Sequence, residues 1–521
     1  MIAVSDAWKD IHQRFILPEG HIEIKCELSE VGLQELAVPS GTNEAVISDV
    51  SKIVDNDGTA IKYATNELNM WALDGSMTVL PDSAPYESSG YVSDISESGS
   101  VTLTLPSVRT VAIPGVMITW SDLYDEYPPV FTVTAKNGDT VVAETTITDN
   151  TEKTSLVDLE LVNYDSVTIT VHNWCLPYRR ARIENIILGH TLTLNKSDIL
   201  NYTHEQHGDL LSAEIPKNSI EFSLNNIDGR WNPSNPTGME KYLSERQRLA
   251  VRYGFTMDDG TIEWIKAGTF YLSEWSAPSN GLEARFTARD ALEFILNAEN
   301  KTLKTDTLKN LAELAVESIP ENITVEIEES LADYSANYKG DSTLAVVLQK
   351  CANAGRCVIR YDREGVLHVE RLNEETTDYM IPLSLSYSYP EMELSKPLKT
   401  VSVSYGENGY THELSVGSSG EVQTVNNDFV STEAQATEIA ELVKETLESR
   451  KKIKGEFRAD PRLDLFDVVI VESKYGYVGG VVITNIKYTF NGAFHGSYEG
   501  RVLDGIAPVL GTFILDVSRL V

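Results

Sequence analysis

The chain has 521 residues, of which 78 are acidic and 43 basic, so its formal net charge is −35 at neutral pH. A hydrophobic fraction of 42% and a charged fraction of 23% are ordinary for globular proteins and exclude long disordered tracts, while the length predicts several independently packed domains. Because attachment to a phosphate backbone relies on Lys and Arg, the charge excludes specific nucleic-acid recognition, although DNA can pass an acidic surface without sticking.

The N-terminal residues, Met1 to Lys9, do not combine a basic region with an apolar run. Nowhere in the sequence does an apolar stretch reach the roughly 18–20 residues that cross a bilayer. We therefore expect no signal peptide, no membrane span and synthesis in the cytoplasm.

Short alternating strands broken by turns are predicted from about Leu73 to Leu188. Alternation is clear from Phe131 to Ala135, before a turn at Asn137-Gly138-Asp139. It recurs from Val167 to Val171, where Thr168, Thr170 and His172 occupy the opposite face. The pattern is typical of a β-sandwich.

A second β-rich stretch runs from Asn218 to Thr287. Its apolar runs are separated by turn signals at Asp228-Gly229 and at Asp258-Asp-Gly260. This stretch predicts a further barrel or sandwich.

Helical spacing begins only after residue 300. One apolar face starts at Leu308 and stops before Pro320, and Ser342 is placed to cap a second helix that ends near Gly355. A hairpin signature follows at 362–365, and Thr432 with Gln435 forms a capping box for a third helix. We expect an all-β N-terminal part and an α+β C-terminal half.

No motif for catalysis, cofactor binding or metal binding is present. The sequence lacks a G-x-S-x-G elbow, a phosphate-binding glycine loop and a dinucleotide fingerprint. His204 and His207 lie three residues apart, whereas a zinc protease needs a spacing of four on a helix, so we expect them to be exposed polar side chains. The cysteines are too few for a disulfide scaffold, and we expect reduced, mostly buried thiols at Cys26, Cys175, Cys351 and Cys357.

The loop from Trp120 to Pro129 combines aromatic faces with carboxylates, as sugar stacking or calcium binding requires. The alternative is that Trp120 and the tyrosines pack at the edge of a sandwich while the acids are solvated. The candidate glycan-contact residues are Trp120, Asp122, Tyr124, Asp125 and Tyr127.

Five segments between Asn218 and Val468 carry a resemblance to a known family. Asn218 to Pro233, with Ile265 to Phe270 and Ala284 to Leu292, resembles the first barrel of bacteriophage tail hub proteins, also described as baseplate hub or tail-associated lysin N-terminal domains. The stretch from Ser342 to Gly365 resembles the hub's peripheral α/β domain, and Arg458 to Val468 resembles its second barrel. The shared order is more specific than any one motif.

This resemblance implies a ring-shaped homotrimer at the virion tail tip that closes the tail tube. It further implies contacts with the distal tail protein, the tape measure protein and other tip proteins, and a role in viral genome ejection. Ring closure requires head-to-tail interfaces, which favour exposed strand edges over catalytic clefts. Although some hubs carry a C-terminal peptidoglycan hydrolase, we expect none in the remainder up to Val521.

A separate, weaker resemblance places a module ahead of the first barrel. Leu73 to Gly75, Gly115 to Trp120, the 131–145 hairpin and Ala181 to Gly189 resemble a galactose-binding-like or discoidin-like jelly roll. This superfamily often keeps its scaffold while losing sugar binding, so the loops must be judged on their own residues.

The predicted fold is therefore mainly β with α+β, comprising two hub β-barrels, a peripheral α/β domain and a jelly-roll sandwich near the N-terminus. The expected segments are 1–56 contributing to the first barrel, 57–189 for the sandwich, 190–300 for the first barrel, 301–376 for the α/β domain, and 377–521 for the second barrel with a helix near 432–451.

The leading functional prediction is a non-enzymatic structural hub subunit whose sandwich contacts host cell-wall glycan or neighbouring tail proteins. The runner-up is a carbohydrate-binding adhesin of a phage-derived injection device or bacteriocin. A third hypothesis is a glycoside hydrolase with an accessory lectin domain.

Overall fold

The chain is mainly β, as the alternating patterns predict. The structure is a computed structural model. The residues that it describes are 2–14, 18–30, 32–42, 50–54, 91–92, 99–120, 127–173, 182–235, 238–278, 281–320, 323–372, 376–406 and 408–503.

The strands are β1 (Gly20–Leu28), β2 (Val38–Gly41), β3 (Tyr91–Val92), β4 (Ser100–Arg109), β5 (Ile113–Trp120), β6 (Val130–Asn137), β7 (Thr140–Ile147), β8 (Thr154–Leu161), β9 (Tyr164–Asn173), β10 (Arg182–Leu188), β11 (His190–Asn195), β12 (Ile199–His207), β13 (Lys217–Asn225), β14 (Arg248–Thr256), β15 (Ile262–Ser276), β16 (Glu283–Arg289), β17 (Lys304–Thr307), β18 (Val325–Ile327), β19 (Ser335–Tyr338), β20 (Val358–Tyr361), β21 (Leu367–Glu370), β22 (Thr376–Ile381), β23 (Glu391–Leu394), β24 (Leu398–Tyr405), β25 (Tyr410–Ser415), β26 (Glu421–Val425), β27 (Lys451–Phe457), β28 (Val468–Ser473), β29 (Gly476–Phe490) and β30 (Phe494–Val502). The α-helices are α1 (Asp6–Gln13), α2 (Leu33–Leu36), α3 (Leu308–Val316), α4 (Leu344–Gly355) and α5 (Glu433–Glu448).

The chain divides into two compact units. The sandwich unit comprises Lys25–Thr193 and Arg230–Gln247, and the sheet unit comprises Met1–Ile24, Leu194–Gly229 and Arg248–Val521. The boundary between Ile24 and Lys25 falls within strand β1, and the boundary between Thr193 and Leu194 falls within strand β11.

In the sandwich unit two antiparallel sheets share one core. Their strand orders are β2-β4-β9-β6-β7 and β3-β10-β5-β8. Phe131, Val133 and Ala135 are fully buried, as their alternation predicts. Strand β2 and Leu33 of α2 also belong here, although they precede residue 57, where the sequence placed the start of the sandwich. Strand β2 has only four residues, one of them a proline, so its sequence shows no alternation from which a strand could be predicted.

In the sheet unit, strands expected in two separate barrels form one continuous sheet. Its order runs β14-β15-β16-β13-β12-β29-β30-β27-β23, and β28 also pairs with β29. The junction is antiparallel pairing of β12 with β29, in which His204 lies opposite Tyr488. Within the described ranges neither set of strands closes into a barrel. In each set one edge strand, β12 or β29, pairs with the other set. The backbone groups of these two edges are satisfied by each other and not by closure within a set.

The α/β part of the sheet unit has its own core. It contains the buried faces of α3 and α4 and the three-stranded sheet β18-β21-β20, with the predicted hairpin between β20 and β21 confirmed. Helix α5 packs into the same core through Ala436, Ile439 and Val443. A helix predicted alongside the second barrel therefore contributes to the α/β core.

Helix ends follow the capping rules only in part. The Thr432 hydroxyl accepts a hydrogen bond from the Gln435 N–H at 3.2 Å, which confirms the predicted cap of α5. At α4 the prediction was wrong: the N-cap is Thr343, not Ser342, and its side chain makes no capping bond. The left-handed residue after α4 is Arg356, with φ of 59°, rather than Gly355.

Candidate functional site

Trp120 ends strand β5 in the core of the sandwich unit. Its indole is fully buried, and the Phe131 ring lies edge-on with centroids 5.0 Å apart. The indole N–H donates to the Ser155 hydroxyl at 2.8 Å, and this hydroxyl donates to Oδ1 of Asn150 at 2.9 Å. Asn150 in turn donates through Nδ2 to the Pro128 carbonyl at 3.0 Å. The chain of bonds joins the residues on both sides of segment 121–126 to one buried point.

This geometry decides between the two roles considered for Trp120. The ring packs in the core, as the alternative proposed, and presents no face to solvent. Tyr127 is half-buried against the same core. Asp122, Tyr124 and Asp125 lie outside the described residues, so glycan contact at this loop stays a prediction.

His204 is a core residue, and the expectation that it is exposed was wrong. It is fully buried, with Nδ1 2.9 Å from the Tyr253 hydroxyl and Nε2 2.9 Å from Oδ1 of Asn218. Burial, reinforced by the nearby Arg363, lowers the pKa of His204 to about 4, so the imidazole is neutral at physiological pH. The inward residues of β12 are Tyr202, His204 and Gln206, and their polarity hides the strand's alternation from the sequence.

His207 lies on the opposite face of the same strand, half-buried. The two histidines therefore point away from each other. Among the residues that the structure describes, no group of His, Cys, Asp and Glu is arranged to hold a metal ion.

Arg363 joins two of the segments on which the family resemblance rests. It sits in the turn between β20 and β21, is almost fully buried, and donates to the carbonyls of Pro461 at 2.5 Å and Leu463 at 2.8 Å. Its guanidinium also faces the Asp464 carboxylate at 3.6 Å. Burial raises the pKa of Asp464, but Arg363 together with hydrogen bonds from the Gln206 amide and the Leu465 N–H lowers it below its usual value. Nothing in the sequence indicated that Arg363 would be buried and bonded to segment 458–468, because it lies in a polar turn of a predicted hairpin.

The same segment is held from its other side by the N-terminal helix. The amide of Ile2 donates to the Arg462 carbonyl at 3.0 Å, and the Trp8 indole donates to Asp460 at 3.4 Å. Asp460 forms a buried ion pair with Arg462. Asp460, Arg462 and Asp464 therefore make contacts inside the protein that hold segment 458–468 in place.

Strand β23 is an exposed edge of the large sheet. It is the last strand in the sheet order and pairs, within the described residues, with β27 alone. Apolar side chains on and before it are exposed, from 46% for Met392 to 64% for Leu394, with Tyr387 and Tyr389 between these values. An unpaired edge with exposed apolar side chains is a site at which another chain can pair.

The face of this sheet that bears His207 is more nearly balanced in charge than the chain as a whole. We name it the outer sheet face. Several ion pairs cross between its strands; Lys454, for example, lies 3.3 Å from Glu391 and 2.7 Å from Glu393. Its charged residues include Lys217, Lys452, Lys454, Lys487 and Arg501, with Glu205, Glu221, Glu391, Glu393, Glu456 and Glu499. Two shallow cavities of about 430 and 350 Å³ lie on it and share Lys454 and Glu499.

None of the helices in the described ranges is both long enough and apolar enough to span a membrane.

No protein-family model matches the chain, and no curated protein matches it by sequence. The solved structures that are similar to it include tail proteins. One is the 43 kDa tail protein of prophage MuSo2 from Shewanella oneidensis, with 11% identity over 60% of this chain and 95% of that one, at a TM-score of 0.42. Another is the tail protein from Neisseria meningitidis MC58, with 12% identity over 61% and 95% and a TM-score of 0.43.

A third similar structure is a chitosan-binding module of a chitosanase/glucanase from Paenibacillus sp. IK-5. It has 11% identity over 31% of this chain and 96% of the module, at a TM-score of 0.20.

Proposed function

We propose that the chain is a structural hub subunit of a bacteriophage tail tip that assembles as a homotrimeric ring and has no catalytic role. The observation that carries this proposal is the exposed edge strand β23, with apolar side chains from Tyr387 to Leu394 beside it. The order of the hub-like sequence segments supports it, because these segments form the continuous sheet and the α/β core of one unit.

Charge explains why the interface belongs at this edge. Copies that each carry a net charge of −35 repel one another, and repulsion is least where each surface is locally neutral. The outer sheet face next to β23 comes close to this condition. Lys452, Lys454 and Arg501 lie there among Glu391, Glu393, Glu456 and Glu499. A ring built through this region satisfies the free backbone groups of the edge.

In this proposal the ring closes the tail tube and anchors the distal tail protein, the tape measure protein and other tip proteins. The DNA passes an acidic chain that does not hold it. The sandwich unit contacts host cell-wall glycan or neighbouring tail proteins. Support for a contact role is that Trp120, Ser155 and Asn150 fix both ends of the loop that bears the candidate glycan residues.

The test is the mass of the purified full chain by light scattering, followed by negative-stain imaging. A ring of three times the chain mass is expected. A monomer at all concentrations, with no ring on the grid, would overturn the proposed assembly. Saturable binding of host wall polysaccharide to the same sample tests the sandwich role separately, and a chain that binds no glycan restricts the sandwich to protein contacts.

A further inference from the structure

A cavity of about 840 Å³ lies beside helix α5 in the sheet unit, a size within the range of ligand pockets. We name it the α5 groove. Part of its lining is apolar, and two of these residues, Leu210 and Val358, are buried in a small core cluster. The apolar lining residues are Leu210, Val358, Leu372, Leu442 and Leu503.

One wall of the groove is acidic. The residues Glu438, Glu441, Glu445 and Glu448 follow one another at helical spacing along α5 and all line the cavity.

These carboxylates differ in how far they are already neutralised. Glu438 pairs with Arg356 at 2.8 Å and accepts from the Tyr334 hydroxyl at 2.5 Å. Glu441 pairs with Lys444 at 3.2 Å. Glu445 and Glu448 are exposed and make no ion pair within the described part of the chain. The wall therefore ends in two carboxylates that make no ion pair there. With four glutamates against Arg356 and Arg371, the charged lining of the groove is net acidic.

At the same end, the buried residue Ser449 lines the cavity. Its side chain is 2% exposed and lines the groove, and its carbonyl accepts from Nη1 of Arg501 at 3.1 Å. The hydroxyl Oγ, in contrast, has no hydrogen-bond partner among the described residues. A buried polar group is ordinarily bonded, so a group entering the groove would complete it.

We infer that the α5 groove is a docking site for a lysine- or arginine-bearing amphipathic segment of a partner protein. Its apolar side chains would pack on Leu442 and Leu372, and its cations would face Glu445 and Glu448. Anionic ligands are disfavoured by the same two carboxylates. This site is distinct from the β23 edge and stands whether or not the chain forms rings.

The probe is a peptide of about 14 residues, with leucine at positions i, i+3, i+4 and i+7 and lysine between them. A peptide of the same composition in scrambled order is the control for nonspecific attraction to an acidic protein. Both are titrated onto the full chain and followed by fluorescence anisotropy. The patterned peptide is expected to bind at least about fivefold more tightly, and to weaken as salt rises from about 50 to about 300 mM.

Two variants locate the site. Glu445→Gln with Glu448→Gln is expected to weaken the patterned peptide about fivefold, whereas Glu317→Gln with Glu413→Gln, which removes two exposed charges elsewhere, leaves its affinity unchanged. Ser449→Ala is expected to weaken it about threefold without lowering stability, because the hydroxyl makes no bond within the described chain. Equal affinity for the two peptides, or for the two double variants, would overturn the inference.

A chain that ends at Leu503 keeps every residue of the groove and identifies a competing occupant. Unchanged affinity in this shortened chain supports a partner segment. Tighter binding would overturn it in favour of the chain's own residues 504–521.

Discussion

The hydroxyl of Tyr253 on β14 lies 2.9 Å from Nδ1 of His204 on β12, and the same hydroxyl lies 2.9 Å from that of Tyr202. With Asn218 on the other ring nitrogen, the imidazole is bonded at both ends in its neutral form. Protonation in this setting would place a charge in the interior, close to Arg363.

The first prediction is a loss of stability in acid that depends on His204. Its pKa is about 4 in the folded chain and about 6.5 when unfolded, so the unfolded state binds more protons between these values. The contribution is complete above pH 6.5 and is lost as the pH falls toward 4, by roughly 3 kcal/mol. Urea unfolding at several pH values is expected to show a shallower acid slope for His204→Gln. The exposed His172→Gln is the control, and equal slopes would contradict the prediction.

Asp290 gives a second prediction with the opposite sign. It is buried at the N-cap before Ala291, where it accepts from the Leu292 N–H at 3.0 Å, and burial raises its pKa to about 7. Its neutral form is favoured in the folded chain, so stability is lost as the pH rises from about 4 through 7.

Asp290→Asn keeps the acceptor oxygen and removes the charge. It is expected to raise the free energy of unfolding at pH 8 by about 1–3 kcal/mol and to change it little at pH 4. Denaturant unfolding at the two pH values measures this, with Asp228→Asn, on an exposed turn, as the control. A variant less stable than the parent at pH 8 would show that the charged form is needed.

The third prediction concerns Arg363. Arg363→Ala leaves Asp464 buried without its cation and the Pro461 carbonyl without a donor, while the Leu463 carbonyl keeps the Tyr488 hydroxyl, so a loss of about 3–5 kcal/mol is expected. Asp464→Asn added to it should recover part of the loss, because it removes the uncompensated charge. The exposed Arg285→Ala is the control and should cost under about 0.5 kcal/mol. Additive effects of the first two substitutions would refute the coupling.

The fourth prediction tests the edge strand. Met392→Lys with Leu394→Lys puts cations on the exposed positions of β23 and is expected to convert the oligomer to monomer, since charged side chains block edge pairing. Light scattering measures the mass and circular dichroism the retained fold. Ile227→Lys, at a still more exposed apolar position of a turn, is the control. An oligomer that survives the double change would place the interface elsewhere, and the control is expected to keep the oligomer.

Where side chains alternate cleanly between apolar and polar, the sequence was a sufficient guide. The strand from Phe131 to Ala135 and the helix beginning at Leu308 form as predicted, because each has one solvent-facing side and one buried side. His204 failed because a polar side chain can be buried once two partners satisfy it, and those partners are 14 and 49 residues away.

Some features of the candidate site could likewise be predicted from the sequence and others could not. The packing of Trp120 in the core was one of the two alternatives predicted for it. The exposed edge at β23 could not be predicted from the sequence, because whether a strand lies at an edge depends on which other strands pair with it. The docking of α5 beside α4 depends on Gln435, which donates to the Ala354 carbonyl at 3.0 Å. A capping residue gives no hint in the sequence of a tertiary bond of that kind.

The pairing of β12 with β29 has a consequence for synthesis. Strand β12 leaves the ribosome with β13 available on one side, but its other neighbour ends at Phe490. At typical elongation rates that partner follows on the order of 15–60 s later. During this interval Tyr202 and His204 lack Tyr488, and α1 lacks the Asp460 segment on which it packs. The sheet unit is therefore completed only once nearly the whole chain has been translated, and contacts of such long sequence separation form slowly.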